Sequence, residues 1–214
     1  MQLYTYFRSS AAYRVRIVLG LKGLEWEAVP VHLLKDGGQQ NSAQYKALNP
    51  AGLVPAFTDG AAVLRQSLAI IEYLEEQYPA ISVLPGDALE RAHIRGLAYD
   101  IACDLHPVNN LRILKYLENP LGLTPEQRKE WYLHWVALGL EAFEQQLAAY
   151  NKAGDFCYGS TPTLADVCLI PQVFNAHRFG YSTDHLPRVT KALQACAQLP
   201  AFIQAEPANQ LDAE

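Results

Sequence analysis

Segments with the period of a β-strand occur only in roughly the first eighty residues of this chain, and every later segment has the period of a helix. The early part alternates between the two periods in the order β-α-β-α-β-β-α, which predicts a mixed sheet packed with helices, an α/β domain. The last two strands read as a hairpin around Asp59-Gly60, a sequence typical of tight turns. Gly23 is expected to end the first helix, and Ser67 is the expected N-cap of the third.

The rest of the chain is predicted to be all-α. Pro107 is expected to kink a long helical stretch, and Thr124-Pro125 has the form of a helix start with proline in the first turn. Thr163 and Asp166 have the spacing of a capping box, which indicates the start of a helix and carries no functional weight.

A short segment, "ISVLPGD" at 81–87, separates the two patterns and reads as a linker. We therefore expect one α/β domain over residues 1–82 and one all-helical domain over residues 87–214. The tail, 207–214, is expected to be poorly ordered because it is polar and terminal.

The formal net charge is −5, and no stretch forms a basic face, which argues against nucleic-acid binding. Because the overall field does not attract anions, an anionic ligand would have to be recognised by individual arginines. The four cysteines lack C-x-x-C or metal-ligand spacing, which indicates free thiols in a reducing compartment. The N-terminus lacks a secretory pattern, and no apolar run is long enough to span a bilayer. We expect a cytoplasmic protein with no membrane segment and no metal site.

The stretch "YFRSSAAYRVRI", residues 6–17, places two serines where a predicted strand meets a predicted helix. The first N–H groups of a helix are unpaired, and the helix dipole is positive there. The small residues Ser9, Ser10, Ala11 and Ala12 let a ligand approach, so the junction suits an anion such as a thiolate. A serine hydroxyl that donates to the sulfur would lower the pKa of a thiol. The alternative is that Ser9 and Ser10 only cap the helix.

Two further features of the first domain would suit a bound peptide. Val54-Pro55 comes just before a strand, where a cis bond would turn the chain and expose the N–H and C=O of Val54 to an added strand. Gln66-Ser67 opens another helix, whose free N–H groups suit a carboxylate. Each feature alone has an ordinary alternative as a turn or a cap, but three of them in one small α/β unit favour a ligand site.

With these features the chain resembles the glutathione transferases, and in particular their zeta class. The motifs that carry the resemblance cover nearly the whole length; they are "SSAAYRVRI", "LKDGGQQ", "ALNPAGLVPAF", "QSLAIIEYLEEQYP", "TLADVCLIPQV" and "NAHRF". The resemblance implies a thioredoxin-like N-terminal domain, a helical-bundle C-terminal domain, glutathione as the cofactor and a homodimer.

The resemblance also implies roles for individual residues. Ser9 would support the glutathione thiolate, with Ser10 beside it. The other residues implied to contact glutathione are Ala11, Ala12, Tyr13, Arg14, Gln40, Val54, Pro55 as the cis proline, Gln66, Ser67, His106, Asn110, Leu111 and Arg112. Three arginines are candidates to hold the carboxylates of the substrate: Arg8, Arg112 and Arg178.

Two positions depart from the pattern of the family. Ala11 stands where relatives have a cysteine, so the chemistry cannot depend on a thiol at that position. His106 stands where many relatives have glutamine, and both side chains can donate a hydrogen bond to a carboxylate of glutathione. Bacterial maleylpyruvate isomerases of the class share the arginine at position 112, which leaves two substrates open.

The implied activity is glutathione-dependent cis–trans isomerisation of a dicarboxylate diketo acid, by reversible addition of the thiolate to its cis double bond. The expected reaction converts maleylacetoacetate to fumarylacetoacetate in tyrosine and phenylalanine breakdown. Three alternatives remain: the same reaction on maleylpyruvate, conjugation of glutathione to small electrophiles, and a non-enzymatic interaction module. Several of these residues have ordinary readings as well: Arg14 and Arg16 are open to ion pairs with acidic side chains, Arg178 to a helix dipole, and His106 to a place in the core.

Overall fold

A mixed sheet of four short strands lies in the first part of the protein. The structure is a computed structural model, which describes residues 1–150, 152 and 154–214. The strands are β1 (Gln2–Thr5), β2 (Glu27–Pro30), β3 (Ala56–Asp59) and β4 (Ala62–Arg65). Their order across the sheet is β2-β1-β3-β4. The pair β1 and β2 is parallel, and the pairs β1–β3 and β3–β4 are antiparallel.

Helix α1 (Ser10–Leu21) connects β1 to β2, α2 (Ala43–Leu48) lies between β2 and β3, and α3 (Ser67–Gln77) follows β4. They complete the order β-α-β-α-β-β-α, so the predicted architecture of the first domain is confirmed. Every residue of α1 from Ala12 to Leu19 is buried, so this helix needs cover on more than the side that faces the sheet.

The later part of the chain is helical, as predicted, and no strand follows β4 in the residues that the structure describes. Its helices are α4 (Ala88–Tyr99), α5 (His106–Val108), α6 (Leu111–Glu118), α7 (Pro125–Tyr150), α8 (Leu164–Arg178), α9 (Pro187–Cys196) and α10 (Pro200–Ala205). The capping box at the start of α8 is confirmed, because the buried Asp166 carboxylate accepts from the Thr163 N–H at 2.8 Å. No helix within the described ranges has both the length and the apolar character needed to cross a membrane.

The predicted kink at Pro107 takes the form of a change of helix type. The segment Asp100–Leu105 is a π-helix that continues α4 and leads into α5. A proline lacks the N–H that an α-helix needs, and its ring collides with the carbonyl one turn earlier, so a wider turn relieves both problems. The helix then stops at Asn109, just before α6 begins.

Two compact units make up the chain: Met1–Val83 together with Ala197–Glu214, and Leu84–Cys196. From the sequence, Ala197–Glu214 was expected to belong to the helical domain, whereas the structure packs this segment with the first unit. The reason lies in α10, which covers a face of the apolar helix α1. The packing is close, because a Cβ on Gly20 would lie 3.2 Å from the Cβ of Ala201.

The tail after α10 is tied down, so the prediction that residues 207–214 are poorly ordered is wrong. Its polar side chains bond to carbonyl groups at the end of α10, which lack partners inside the helix. Asn209 Nδ2 donates to the Ile203 carbonyl at 2.6 Å, and Gln210 Nε2 donates to the Gln204 carbonyl at 2.8 Å. Asp212 then bonds to the Phe7 N–H at 3.0 Å.

All four cysteines are free thiols, as predicted. Cys103 is exposed, and the other three are buried. Burial raises the pKa of Cys157 and of Cys196, so neither thiol is suited to act as a nucleophile.

A buried ion pair closes the first unit between the C-terminal parts of α1 and α3. Lys22 Nζ lies 2.7 Å from Glu75 Oε1, and the two side chains are only 1% and 6% exposed. Glu75 also accepts from the Val83 N–H at 2.9 Å and from the Ser82 hydroxyl at 2.7 Å. Burial alone would raise the pKa of the Glu75 carboxyl, but these hydrogen bonds outweigh burial and lower it below its usual value.

Replacing Glu75 with glutamine is expected to lower the free energy of unfolding at pH 7 by about 3 kcal/mol, because the buried ammonium of Lys22 loses its counter-charge. The folded pKa is the lower one, so this stabilisation is present above the unfolded pKa, about 4.3, and disappears as the pH falls through the folded value. In urea denaturation, the difference in the free energy of unfolding between wild type and variant should therefore be smaller at pH 3.5 than at pH 7. Glu76→Gln, at the neighbouring exposed position, is the control. If Glu75→Gln lowered the free energy of unfolding equally at both pH values, this account would be wrong.

Candidate active site

The sheet brings the predicted site residues of the first unit to one edge. In the antiparallel ladders Tyr4 lies opposite Ala56, and Ala56 lies opposite Arg65. The end of β1, the start of β3 and the end of β4 therefore meet at the same edge. Ser9 follows β1, Val54-Pro55 precedes β3, and Gln66 follows β4, so all three predicted features converge there.

Ser9 is the N-cap of α1, with extended backbone dihedrals of −72° and 113°. Its hydroxyl oxygen accepts a hydrogen bond from the Ala12 N–H at 3.2 Å. A hydroxyl has two acceptor sites and one donor, so capping leaves the O–H of Ser9 able to donate to an anion. The two readings of this serine, cap and thiolate donor, are therefore compatible.

The remaining residues of the predicted stretch lie within α1. Ser10 is its first residue and is 5% exposed, whereas Ser9 is only half-buried, so Ser9 is the serine that a ligand reaches more readily. The others follow along the helix: Ala11, Ala12, Tyr13 and Arg14. Only Ala11 among these four is not buried.

The start of α3 differs from the prediction, because its N-cap is Gln66 and Ser67 is the first helical residue. Gln66 has φ +69° and ψ 118°, a region that residues other than glycine rarely adopt and that recurs at functional sites. The buried hydroxyl of Ser67 instead accepts from Nη1 of the buried Arg14 at 3.3 Å. This contact joins the first turn of α3 to α1 and fixes the free N–H groups of α3 at the same edge of the sheet.

Gln40 lies in a 3₁₀ turn and is 9% exposed. Its Nε2 donates weakly to the Leu33 carbonyl at 3.4 Å, while its Oε1 has no hydrogen-bond partner among the described residues. Gly38, at φ +96°, makes room for this side chain, since a Cβ there would lie 2.6 Å from Gln40 Nε2. Buried amide oxygens in proteins are normally satisfied, so a ligand that carries N–H donors fits this position.

The peptide bond between Val54 and Pro55 is cis, as predicted. The preceding carbonyl, that of Leu53, is held by the Tyr45 hydroxyl at 2.7 Å and by Asn49 Nδ2 at 2.7 Å. No backbone–backbone hydrogen bond outside the regular elements, in the part of the chain that is described, uses the N–H or C=O of Val54. Gly52 packs this segment against Gln40, because a Cβ on the glycine would lie 3.2 Å from the Gln40 carbonyl oxygen.

A second group of predicted residues lies in the second unit, at the start of α6. Asn110 is the N-cap of α6 and accepts from the Arg112 N–H at 3.1 Å. Asn110 Nδ2 lies 3.3 Å from His106 Nε2, so these two predicted residues are in contact. Leu111 is partly buried and Arg112 is exposed in the first turn of α6. The π-helix ends just before His106, and such wide turns are frequent at functional sites.

The other two arginine candidates have partners already. Arg8, in the first unit, places its guanidinium carbon 4.7 Å from the centre of the Phe7 ring. Arg178, in the last turn of α8, donates from Nη1 to Asn175 Oδ1 at 2.7 Å. Its position at a helix C-terminus agrees with the ordinary reading as a cation that stabilises the dipole.

Two contacts beside Ser9 were missed by sequence reasoning. Arg16 donates to the carbonyl groups of Tyr6 and Phe7, rather than to the acidic side chains that the sequence suggested. Asp212 accepts from the N–H of Phe7, although more than two hundred residues separate them in the chain. Two closely spaced arginines in α1, Arg14 and Arg16, were a signal for the contact of Arg16. No local pattern in the tail indicated the contact of Asp212.

Comparison with known proteins gives one consistent picture. Residues 3–82 match the family described as the glutathione S-transferase N-terminal domain. A probable maleylacetoacetate isomerase of Vibrio cholerae is 48% identical over 211 residues, which are 99% of this chain and 97% of the relative. The holo structure of a maleyl pyruvate isomerase, described as a bacterial zeta-class glutathione S-transferase, is 45% identical with a TM-score of 0.97 and complete coverage of both chains. The maleylacetoacetate isomerase of Methylobacterium extorquens AM1, solved with malonate and GSH, is 37% identical with a TM-score of 0.95 over the whole of both chains.

Proposed function

Because this chain belongs to the zeta class of the glutathione S-transferase family, we propose that it is a glutathione-dependent cis–trans isomerase that converts maleylacetoacetate to fumarylacetoacetate. The observation that carries the proposal is the position of Ser9, which caps α1 at the sheet edge shared with Val54 and Gln66. Full-length similarity to a probable maleylacetoacetate isomerase supports the choice of reaction.

When bound, glutathione supplies a sulfur nucleophile that adds reversibly to the cis double bond and so permits rotation about it. The task of the protein is to keep that sulfur ionised at neutral pH. The O–H of Ser9 donates to the sulfur, and the free N–H groups and positive dipole of α1 favour the same negative charge. Ala11 has no reactive group, so the chain itself offers no competing thiol at this position.

The peptide part of glutathione is proposed to occupy the rest of the sheet edge. The N–H and C=O of Val54 pair with its backbone as an added strand does. The first turn of α3, with Gln66 and Ser67, receives a carboxylate, and Gln40 Oε1 accepts from an N–H donor. His106 and Asn110, with Leu111 and Arg112, form the proposed contacts of the second unit.

The substrate has two carboxylates, and guanidinium groups bind carboxylates through paired hydrogen bonds. We propose Arg8, Arg112 and Arg178 for this role. Arg112 is exposed and its side chain has the fewest competing contacts of the three, so we expect its replacement to raise the KM for the diketo acid most.

Replacing Gln40 with alanine is expected to raise the KM for glutathione by about five- to tenfold and to leave kcat within about a factor of two. The reason is that one hydrogen bond contributes about 1–1.4 kcal/mol to binding, equally in the ground and transition states. Initial rates at varied glutathione concentration measure both constants. The exposed Gln44→Ala, on the neighbouring helix α2, is the control. An unchanged KM in Gln40→Ala would show that this amide does not contact the cofactor.

The proposed function is tested by mixing the protein with maleylacetoacetate and measuring the fumaryl product. Product formation should require glutathione, and glutathione should be recovered unchanged. A stable glutathione conjugate as the main product would instead indicate a conjugating transferase. An absence of turnover and of glutathione binding would favour an interaction module without catalysis.

A second candidate substrate is maleylpyruvate, and the TM-score of 0.97 with a maleyl pyruvate isomerase favours it as a specific alternative. The two diketo acids share the cis double bond and the two carboxylates, so the same residues would serve both. The ratio of the two kcat/KM values decides between them. We propose maleylacetoacetate as the better substrate, and a ratio in favour of maleylpyruvate would reverse the assignment.

We propose that the protein acts in the cytoplasm, in the breakdown of tyrosine and phenylalanine. We also propose that it forms a homodimer. Light scattering should then give a mass twice the 23.8 kDa of one chain. A strain that lacks the protein should fail to grow on tyrosine while growing on acetate.

A further inference from the structure

The C-terminal tail contacts the turn that carries Ser9, and we propose that Asp212 is a positioning residue for the thiolate site. This inference rests on the proposed function, because it assigns Asp212 a role in the ionisation of the sulfur of glutathione. Asp212 itself does not contact the reacting atoms in the proposal. It acts through the backbone of the turn between β1 and α1.

In the turn between β1 and α1, both the N–H and the carbonyl of Phe7 have side-chain partners. Asp212 Oδ2 accepts from the N–H of Phe7 at 3.0 Å. Arg16 Nη2 donates to the carbonyl of the same residue at 3.0 Å. Within the turn the N–H of Ser9 bonds to the carbonyl of Tyr6 at 2.9 Å, so a displacement at Phe7 is transmitted to Ser9.

The tail is fixed well enough to act as a support. Its polar side chains bond to the last carbonyl groups of α10, and α10 packs on α1. Arg16 joins the two helices, because its Nε donates to the Ala205 carbonyl at 3.1 Å. The support for Asp212 is thus built on the same helix whose first turn Ser9 caps.

The effect should fall on the sulfur and not on the peptide of glutathione. Val54, Gln66 and Gln40 belong to other segments of the first unit, and none of them contacts Asp212 in the hydrogen bonds of the described residues. We therefore expect a change in kcat and in the thiol pKa, with little change in the KM for glutathione. A residue needed only for folding would not separate these quantities.

The acceptor oxygen, and not the negative charge, is the part of Asp212 that this role requires. A carboxylate close to the site would by itself disfavour a second negative charge on sulfur. Asparagine keeps an oxygen of the same shape that accepts from the Phe7 N–H, whereas alanine removes it. Asp212→Asn should therefore keep the thiol pKa at or slightly below that of wild type, whereas Asp212→Ala should raise it.

The test uses the full chain with bound glutathione and follows the ultraviolet absorbance of the thiolate against pH. Asp212→Ala should raise the pKa of the bound thiol by about one unit toward that of free glutathione and lower kcat by about tenfold, the size expected for loss of an orienting contact. Its KM for glutathione should stay within about twofold, and Asp212→Asn should restore both the pKa and kcat. Glu214→Ala is the matched control from the same tail, because Glu214 pairs with the exposed Lys35 and, at 3.6 Å, with His32 Nε2 rather than with the backbone of the turn. This substitution should leave all three quantities unchanged.

An Asp212→Ala protein with the thiol pKa and kcat of wild type would overturn the inference and leave the proposed function intact. So would a variant that unfolds at the assay temperature, since that result would assign Asp212 to overall stability. A wild-type complex in which the thiol keeps the pKa of free glutathione would instead count against the proposed function itself.

Discussion

Replacing Ser9 with alanine is expected to lower glutathione-dependent turnover by a factor of about 10²–10³, the loss typical of an oxyanion donor. The methyl group of alanine cannot donate to sulfur, and it cannot accept from the Ala12 N–H as the serine oxygen does. The pKa of bound glutathione should rise accordingly, so less of it is ionised at neutral pH. Steady-state kinetics and the pH dependence of thiolate absorbance measure the two effects.

The loss of a helix cap has to be separated from the loss of the donor. Ser42 provides the control, because it caps α2 in the same way and accepts from the Tyr45 N–H at 3.2 Å. Each Ser→Ala change should cost about 1 kcal/mol of stability through the lost cap, but only the change at Ser9 should reduce turnover. A Ser9→Ala enzyme with normal turnover and normal thiol pKa would refute the role of this hydroxyl.

Replacing Arg16 with methionine is expected to lower the free energy of unfolding by about 4 kcal/mol, because several buried acceptors lose their donor together. The side chain is 2% exposed and donates to Thr5 Oγ1, to the carbonyls of Tyr6 and Phe7, and to that of Ala205. Burial lowers the pKa of Arg16 to about 10, so the guanidinium is still charged at neutral pH. Methionine fills similar space but offers no hydrogen to any of these oxygens.

Urea denaturation measures this loss as a shift of the midpoint at an unchanged slope. Arg16→Lys keeps the charge but supplies fewer donors without the planar fork, so it should recover only part of the stability. The exposed Arg65, whose side chain donates to the Leu48 carbonyl, is the matched control for arginine-to-methionine replacement. If Arg16→Met were no less stable than Arg65→Met, the carbonyl contacts would not hold the fold together.

The sequence predicted the order of the elements because strand and helix periods are local properties of each segment. The position of Pro55 just before a strand left a cis bond open, and the resemblance to the family implied it, which the structure confirms. The predicted start of α3 was wrong by one residue, because glutamine has no preference for a positive φ and the sequence therefore did not indicate Gln66 as the N-cap. The type of turn before Pro107 was missed for a similar reason, since a kink and a π-helix relieve the same clash.

The candidate site was predicted in part. Ser9, Val54 and Gln66 carry local signals, and the ladders bring them together at one edge. The contacts of Asp212 and Arg16 depend on a tail that returns to the first unit over a long separation in sequence. Such a return has no period and no motif, so only the folded chain reveals it.

The return of α10 to the first unit also constrains biosynthesis. The segment 197–214 is synthesised after the whole of Leu84–Cys196, yet it covers α1, which is synthesised before that unit. While the rest of the chain is being translated, α1 keeps an uncovered apolar face and Arg16 lacks the Ala205 carbonyl. Domains usually mature in the order of their synthesis, but here the first unit is completed only after the second unit has been synthesised.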